Sequence, residues 1–274
     1  MFPPNSVWNY DISHLPVDKN SHAYIQTIGA SQPLQDDFTF PYTIVPATQP
    51  LVPIHFENPA VSNPGPYPIP TNAPIEDSED HHVLVVQSGT CKDYELYIGS
   101  PNADGSWDAS RGALFDLTAN TARNLHFQGP DTAGLPMTPL LIRYEEIKAG
   151  VINHALRLVV NQARNTTIWP ASPGESGGNA SGSQYAPAGQ RFRLKANVDI
   201  SHFSKPIQII LTALKHYGML IADEGPTTWA VSGAPDPGWN SVNLSELQQI
   251  HGSDFEAVDE SSLEISPNSY QVRG

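Results

Sequence analysis

The chain is poor in cysteine, in basic residues and in long apolar runs, and each shortage removes a class of protein. Its 274 residues include one cysteine, Cys91, so no intrachain disulfide can form. A disulfide-stapled scaffold is excluded, whereas a cytosolic enzyme or a bacterial secreted domain without staples fits. Lysine and arginine number 14 against 28 acidic residues, a net charge of −14. That balance lacks the positive field that nucleic-acid or anionic-membrane binding requires. No apolar stretch approaches the roughly 20 residues needed to span a bilayer. The first residues, Met-Phe-Pro-Pro-Asn, offer no basic n-region and no apolar h-region, so no signal peptide is read there. There is no phosphate-binding loop and no dinucleotide fingerprint after a strand. Neither HxH nor HExxH occurs, which leaves His55, His81 and His82 a weak metal set, and no metal or cofactor is expected. Cys91 sits in a polar turn with only Lys92 as a basic neighbour, a poor setting for a thiol nucleophile.

What the chain does have is turn chemistry. It carries 26 prolines and 20 glycines, and only 15% of its residues are charged, which suits a loop-rich β protein better than a helical one. Residues 1–78 are Pro-rich and weakly periodic and read as a wrap over a sheet. The stretch 172–189, rich in Gly, Ser, Ala and Pro, reads as a long mobile loop because strand signals continue on both sides. One helix stands out at Lys205–Tyr217, with Ser204 as N-cap and Pro206 in its first turn. Ile207, Ile210, Leu211 and Leu214 form its apolar stripe, and Gly218 ends it. The expected architecture is mainly β: a single-domain β-sandwich of jelly-roll type over residues 1–274, with its core at 79–274 and one substantial helix.

The densest meeting of strand signal and reactive side chains is Asp80–Ile98. Two β-rich runs flank a polar turn containing glycine, a hairpin signature. If Gln87 pairs with Tyr94, then His82, Leu84 and Val86 share a face with Glu95 and Tyr97. Glu95 then lies opposite Val86, about 13 Å along the strand from His82. Glu95, on an otherwise apolar-aromatic face that raises a carboxylate pKa, is the first candidate for a catalytic carboxylate pair. Such a pair stands about 5–10 Å apart across a cleft, with Asp80, Asp116, Glu145 or Glu146 as the possible partner. Tyr97 and His82 would meet the substrate. On the strand Gln190–Asp199, Arg191, Arg193 and Lys195 alternate with apolar residues. This stripe suits the anionic groups of a glycan or a solvated face paired with acids. Lining a cleft, it would support β-elimination with His154 or a tyrosine as base. His154 also fits a satisfied core histidine, with Arg157 on the opposite face of its strand. Trp107 and Trp169, in or beside loops, suit stacking on sugar rings or the packing of those loops.

Several segments carry a resemblance. They are Tyr67–Ile75, Asp80–Val86 with Tyr94–Tyr97, Asn153–Arg157, Arg191–Ala196, Ala213–Asp223 and Gly252–Glu256. In these the chain resembles a family of bacterial, exported proteins of unassigned function. The resemblance spans most of the chain and implies one domain in an extracytoplasmic setting, and it implies no reaction. The combined expectation is a secreted glycoside hydrolase using Glu95, with Asp80, Glu145 and His154 as further catalytic candidates. A lyase of anionic glycans is the same-class alternative. A non-catalytic glycan-binding or surface-interaction protein is the different-class one. The expected partner is a polysaccharide or oligosaccharide, with no nucleic acid, and the oligomeric state stays open.

Overall fold

The computed structural model describes residues 2–122 and 127–273. Among them the strands are β1 (Gln35–Asp37), β2 (Tyr42–Val45), β3 (Ile54–Phe56), β4 (Val83–Gln87), β5 (Lys92–Tyr97), β6 (Ser100–Pro101), β7 (Trp107–Ala109), β8 (Arg111–Asp116), β9 (Leu156–Val160), β10 (Arg164–Thr167), β11 (Pro187–Ala188), β12 (Arg191–Leu194), β13 (Met219–Glu224), β14 (Ala230–Ser232) and β15 (Phe255–Ala257). The α-helices are α1 (Ser21–Ile28), α2 (Tyr144–Ala149) and α3 (Lys205–His216). Strand exceeds helix, 28% against 18%, so the protein is mainly β. A six-stranded sheet runs β1-β14-β9-β13-β12-β15, a four-stranded sheet β2-β4-β5-β8 and a three-stranded sheet β3-β7-β6, and β10 pairs with β11.

The alternation of side chains along these strands decides which faces meet. In the six-stranded sheet Leu156, Leu158, Phe192, Leu194, Met219 and Ile221 turn toward α1 and α3 and form one core with Tyr24, Ile28, Ile207 and Leu211. The opposite face, with Leu220 and Ala222, packs toward Ala113 and Phe115 of β8, and Leu135 and Leu140 fill the space between. The four-stranded sheet buries its other face, Val83, Val85, Tyr94 and Leu96, under Tyr67, Ile69 and Trp107. The Pro-rich segment therefore covers the face opposite Glu95, and residues 129–141 cover the face that carries it.

The helix at 205–216 forms where its periodicity places it, and Gly218 takes a positive φ of 64° after its end. Ser204 stands at the N-cap position, but its hydroxyl makes no capping bond. Two expectations need correction. Residues 1–78 are more than a wrap, because α1 packs into the main core and β1 forms an edge of the six-stranded sheet. Residues 172–189 are not a free loop. The Gly178 and Ala180 N–H groups donate to Arg164 and Ala163, the Asn179 amide donates to the Glu224 carboxylate, and Ala186 and Ala188 are fully buried. The jelly-roll expectation is not established by this strand order. β1–β14, β9–β13 and β2–β4 are parallel pairs, and helices cover one face of the larger sheet.

One irregularity positions the site. Arg157 pairs with Leu220 and Leu158 with Ile221, but Val159 pairs with Asp223, so Ala222 is an extra residue in β13. A bulge of this kind re-aims the side chains that follow it. Without it residue 223 would face the helices; with it Asp223 joins Arg157 on the face turned toward the smaller sheet.

Candidate functional site

A cavity of about 300 Å³ opens between the two larger sheets, lined by Asp36, Asp37 and Phe40, by Glu76, Ser78, Asp80 and His82, and by Arg157, Val159, Asp223 and Glu224. Arg157, 1% exposed, forms part of its lining from the centre of the six-stranded sheet. Its guanidinium donates to Asp223 at 3.2 Å and to the Ser232 hydroxyl at 2.9 Å, and its Nε stands 3.6 Å from Asp131 Oδ2. The Phe40 ring lies 4.8 Å from it. Burial opposes the charge on Arg157, but Asp131 and Asp223 outweigh that and hold its pKa above the usual value. Asp131 is fully buried, and burial pushes its carboxyl up to about 6 although Arg157 favours the charged form. Its Oδ1 accepts the Ala133 and Gly134 N–H groups, which fixes the carboxyl beneath the guanidinium.

The smaller sheet supplies the other wall. His82 Nδ1 lies 2.5 Å from Glu76 Oε2, and both residues are buried. Burial alone would raise the Glu76 pKa, but the His82 hydrogen bond and charge leave it below the ordinary carboxylate value. Glu76 comes from the end of the Pro-rich segment and is held in place by backbone pairing, its N–H donating to the His82 carbonyl. Asp80, half-buried at the rim, is hydrogen-bonded to Tyr97, whose phenol is raised by burial and by that carboxylate. His81, at φ 44°, makes the tight turn that sets Asp80 and His82 on the same side of the cavity.

The hairpin register differs from the expected one by two residues: Gln87 pairs with Lys92, Leu84 with Glu95 and Val83 with Leu96. An even shift preserves the faces, so His82, Glu95 and Tyr97 do share one, as expected. It also brings them closer, since Glu95 is only two residues, about 7 Å, along from His82. Tyr97 and His82 are ring neighbours at 5.6 Å.

Glu95 is nonetheless closed off. It is 0% exposed, and its Oε1 accepts the Met137 and Thr138 N–H groups. Its partner is Asp93, two residues away on the same face, which accepts the Thr138 hydroxyl. Asp93 Oδ2 and Glu95 Oε2 have no other partner among the described residues, and a proton shared between the two carboxyls satisfies both. Burial lifts Asp93 to about 7, and burial together with the Asp93 charge lifts Glu95 well above its ordinary value.

The remaining sequence candidates fall elsewhere. Arg191 is fully buried on Glu260 at 2.6 Å and on the Val7 and Tyr217 carbonyls. Arg193 binds Glu256 and the Ile12 and Leu15 carbonyls, and Lys195 binds the Ser253 carbonyl. The expected anion-binding stripe is therefore spent on tying the N-terminal segment and β15 to the sheet. Trp107 is 0% exposed in the core beneath the small sheet, which leaves it no face for a sugar. Trp169 is half-buried with its indole N–H on the Ser269 carbonyl. Glu145 is exposed on α2, and His154 lines a different depression with Glu146. Sequence reasoning missed Glu76, Asp93, Asp131 and Asp223 as members of carboxylate clusters. Only Asp93 had a signal, its two-residue spacing from Glu95 on one strand.

Fold and site together define a mainly β protein with an acid-lined cavity between its sheets. No family model matches the chain, and no curated protein or solved structure matches it at a significant level. Among the described residues no group of three or more His, Cys, Asp or Glu is placed to hold a metal ion, and no helix is long and apolar enough to cross a membrane.

Proposed function

We propose that the chain is an extracytoplasmic glycan-active protein, a hydrolase whose chemistry belongs to this cavity and not to Glu95. The observation that carries the reading is that the cavity wall sets Asp80, half-buried at the rim, beside the buried His82–Glu76 pair, so that a carboxylate and an imidazole stand together. Asp80, at the rim on Tyr97, is the carboxylate that meets the substrate. His82, held by Glu76, is the proton-transfer group beside it. Arg157, with Asp131 and Asp223, keeps this part of the cavity rigid. Six acids line the cavity against Arg157 and His82. A neutral or amino-bearing glycan therefore fits better than a uronate or sulfated one. The lyase reading loses its carriers, because Arg191 and Arg193 are buried on their own acids.

One observation favours a non-catalytic glycan-binding protein as the second reading: Arg157 and His82 are already held by acids inside the fold, as a rigid binding surface requires. Asp80→Asn separates the two. Hydrolysis predicts a loss of about 10²–10⁴-fold in reducing-end release from a neutral glycan with binding retained. Retention of the glycan with no product from either protein would leave the binding reading. Products absorbing near the ultraviolet edge would reject hydrolysis.

A further inference from the structure

A separate cavity, of about 280 Å³, shares no lining residue with the one assigned above. It forms where Asp18, the end of β10, the start of β12 and the segment after β15 meet. Four acids line it, Asp18, Asp259, Glu260 and Glu264, and among the described residues no lysine, arginine or histidine does. The backbone holds two of these acids in place. On either side of the Val17–Val258 bridge the Asp18 N–H donates to the Ala257 carbonyl and the Asp259 N–H to the Pro16 carbonyl. Each carboxylate spends Oδ1 on the N–H two residues on, at Asn20 and Ser261. Asp18, Asp259 and Glu264 enter no ion pair among the described residues. Lys19, exposed outside the cavity, favours the charge on Asp259.

Acids alone would make an ordinary solvated face. Two buried acceptors make it a site. Gln190 is 2% exposed and Glu260 6%. Gln190 Nε2 donates to the Arg191 and Val258 carbonyls. Both partners are acceptors, so the amide cannot be reversed, and its Oε1 is left without a partner among the described residues. Glu260 Oε1 takes Arg191 Nη1 at 2.6 Å, and its Oε2 is left in the same way. Neither oxygen is sealed in the interior as Glu95 Oε2 is, so the surface each keeps opens to the cavity its residue lines. Buried acceptors are normally answered by a donor. Ile168, 38% exposed, and the half-buried Trp169 give the cavity an apolar wall. The acids do not converge on one point, because among the described residues no three of them are placed to hold a metal ion. A larger cation that carries its own N–H donors and an apolar chain fits this arrangement, and a bare ion does not.

We propose that this cavity binds a small aliphatic diamine in its doubly protonated form. One ammonium, with three donors, answers Gln190 Oε1 and Glu260 Oε2. The methylene chain lies along Ile168 and Trp169, and the second ammonium meets the half-buried carboxylates of Asp18, Asp259 and Glu264.

Isothermal titration of the full chain with butane-1,4-diamine tests the site, at about 0.15 M salt so that exposed charges are screened. Saturable one-to-one binding is expected, at least tenfold tighter than that of butane-1,4-diol, which lacks the charge, or of tetramethylammonium, which lacks the N–H groups. Asp18→Asn combined with Asp259→Asn keeps the oxygen each turn uses and should weaken binding at least tenfold. Asp116→Asn combined with Asp199→Asn removes the same charge from two exposed turns of the same kind outside the cavity and should leave binding unchanged. Ile168→Arg puts a cation into the wall at a position whose side chain makes no polar contact. Loss of binding there, with the melting temperature unchanged, supports the site. No saturable binding, equal binding of either control compound, an equal loss in the two double variants, or binding that survives Ile168→Arg overturns it. Asp80→Asn should bind the diamine as the parent does. A loss there would place the diamine in the first cavity and overturn this assignment without bearing on turnover, so either proposal can fail alone.

Discussion

Arg157→Met is expected to remove about 3–5 kcal/mol of folding stability, because it strands buried charge. Arg157 and Asp131 are 1% and 2% exposed, and Asp223 completes the cluster. Methionine fills most of the volume, so the loss reports the orphaned carboxylates and not a large cavity. Two further measurements fix the cause. Arg157→Met combined with Asp131→Asn should recover a large part of the loss, since the amide removes the more deeply buried of the two orphaned charges. The single variant should also lose less at pH 5 than at pH 8. Asp131, already at about 6 beside Arg157, takes up a proton in that range and becomes neutral. Urea unfolding at the two pH values checks both. A loss under about 1 kcal/mol at pH 8 would mean that the cluster is not what holds the sheets in register.

Glu95→Gln is expected to stabilise the protein at pH 8, by about 1–3 kcal/mol, and to change little near pH 4. The sign follows from the direction of the shifts. Asp93 and Glu95 have folded pKa values raised above their unfolded ones, Asp93 to about 7. Below about pH 4 both states hold the protons and the contribution is complete. Between about 4 and 7 the folded state holds protons that the unfolded chain has released, so stability falls as pH rises, by about 1.4 kcal/mol per unit for each retained proton. Glutamine keeps the carbonyl that accepts from Met137 and Thr138 and offers an N–H to Asp93, so one titrating group disappears with its hydrogen bonds preserved. The difference between variant and parent isolates the pair from the other carboxylates. If the variant is less stable at pH 8, the shared proton is not what joins the two side chains. The same substitution bears on function: with Glu95 buried, turnover should persist in Glu95→Gln.

Local patterns in the sequence determined a good deal. The stripe at Ile207, Ile210, Leu211 and Leu214 with glycine after it determined α3, because helix periodicity and capping act over a single turn. The hairpin faces followed from alternation alone, and they survived a register error of two residues because the side-chain period is two. The single cysteine excluded an intrachain disulfide. Tertiary structure alone decided what the charged strand residues do. Alternation places Arg191 and Arg193 on one face but cannot say whether that face meets water or a returning N-terminal segment. The carboxylates that answer Arg157 come from positions 131 and 223, and a bulge at Ala222 turns the second of them around. The segment 129–141, which has little periodicity, closes over Glu95, and Glu76 reaches His82 from the end of the Pro-rich run. These are contacts between residues far apart in the chain or outside any regular element, and their partners are chosen by how the sheets pack, which no local spacing records.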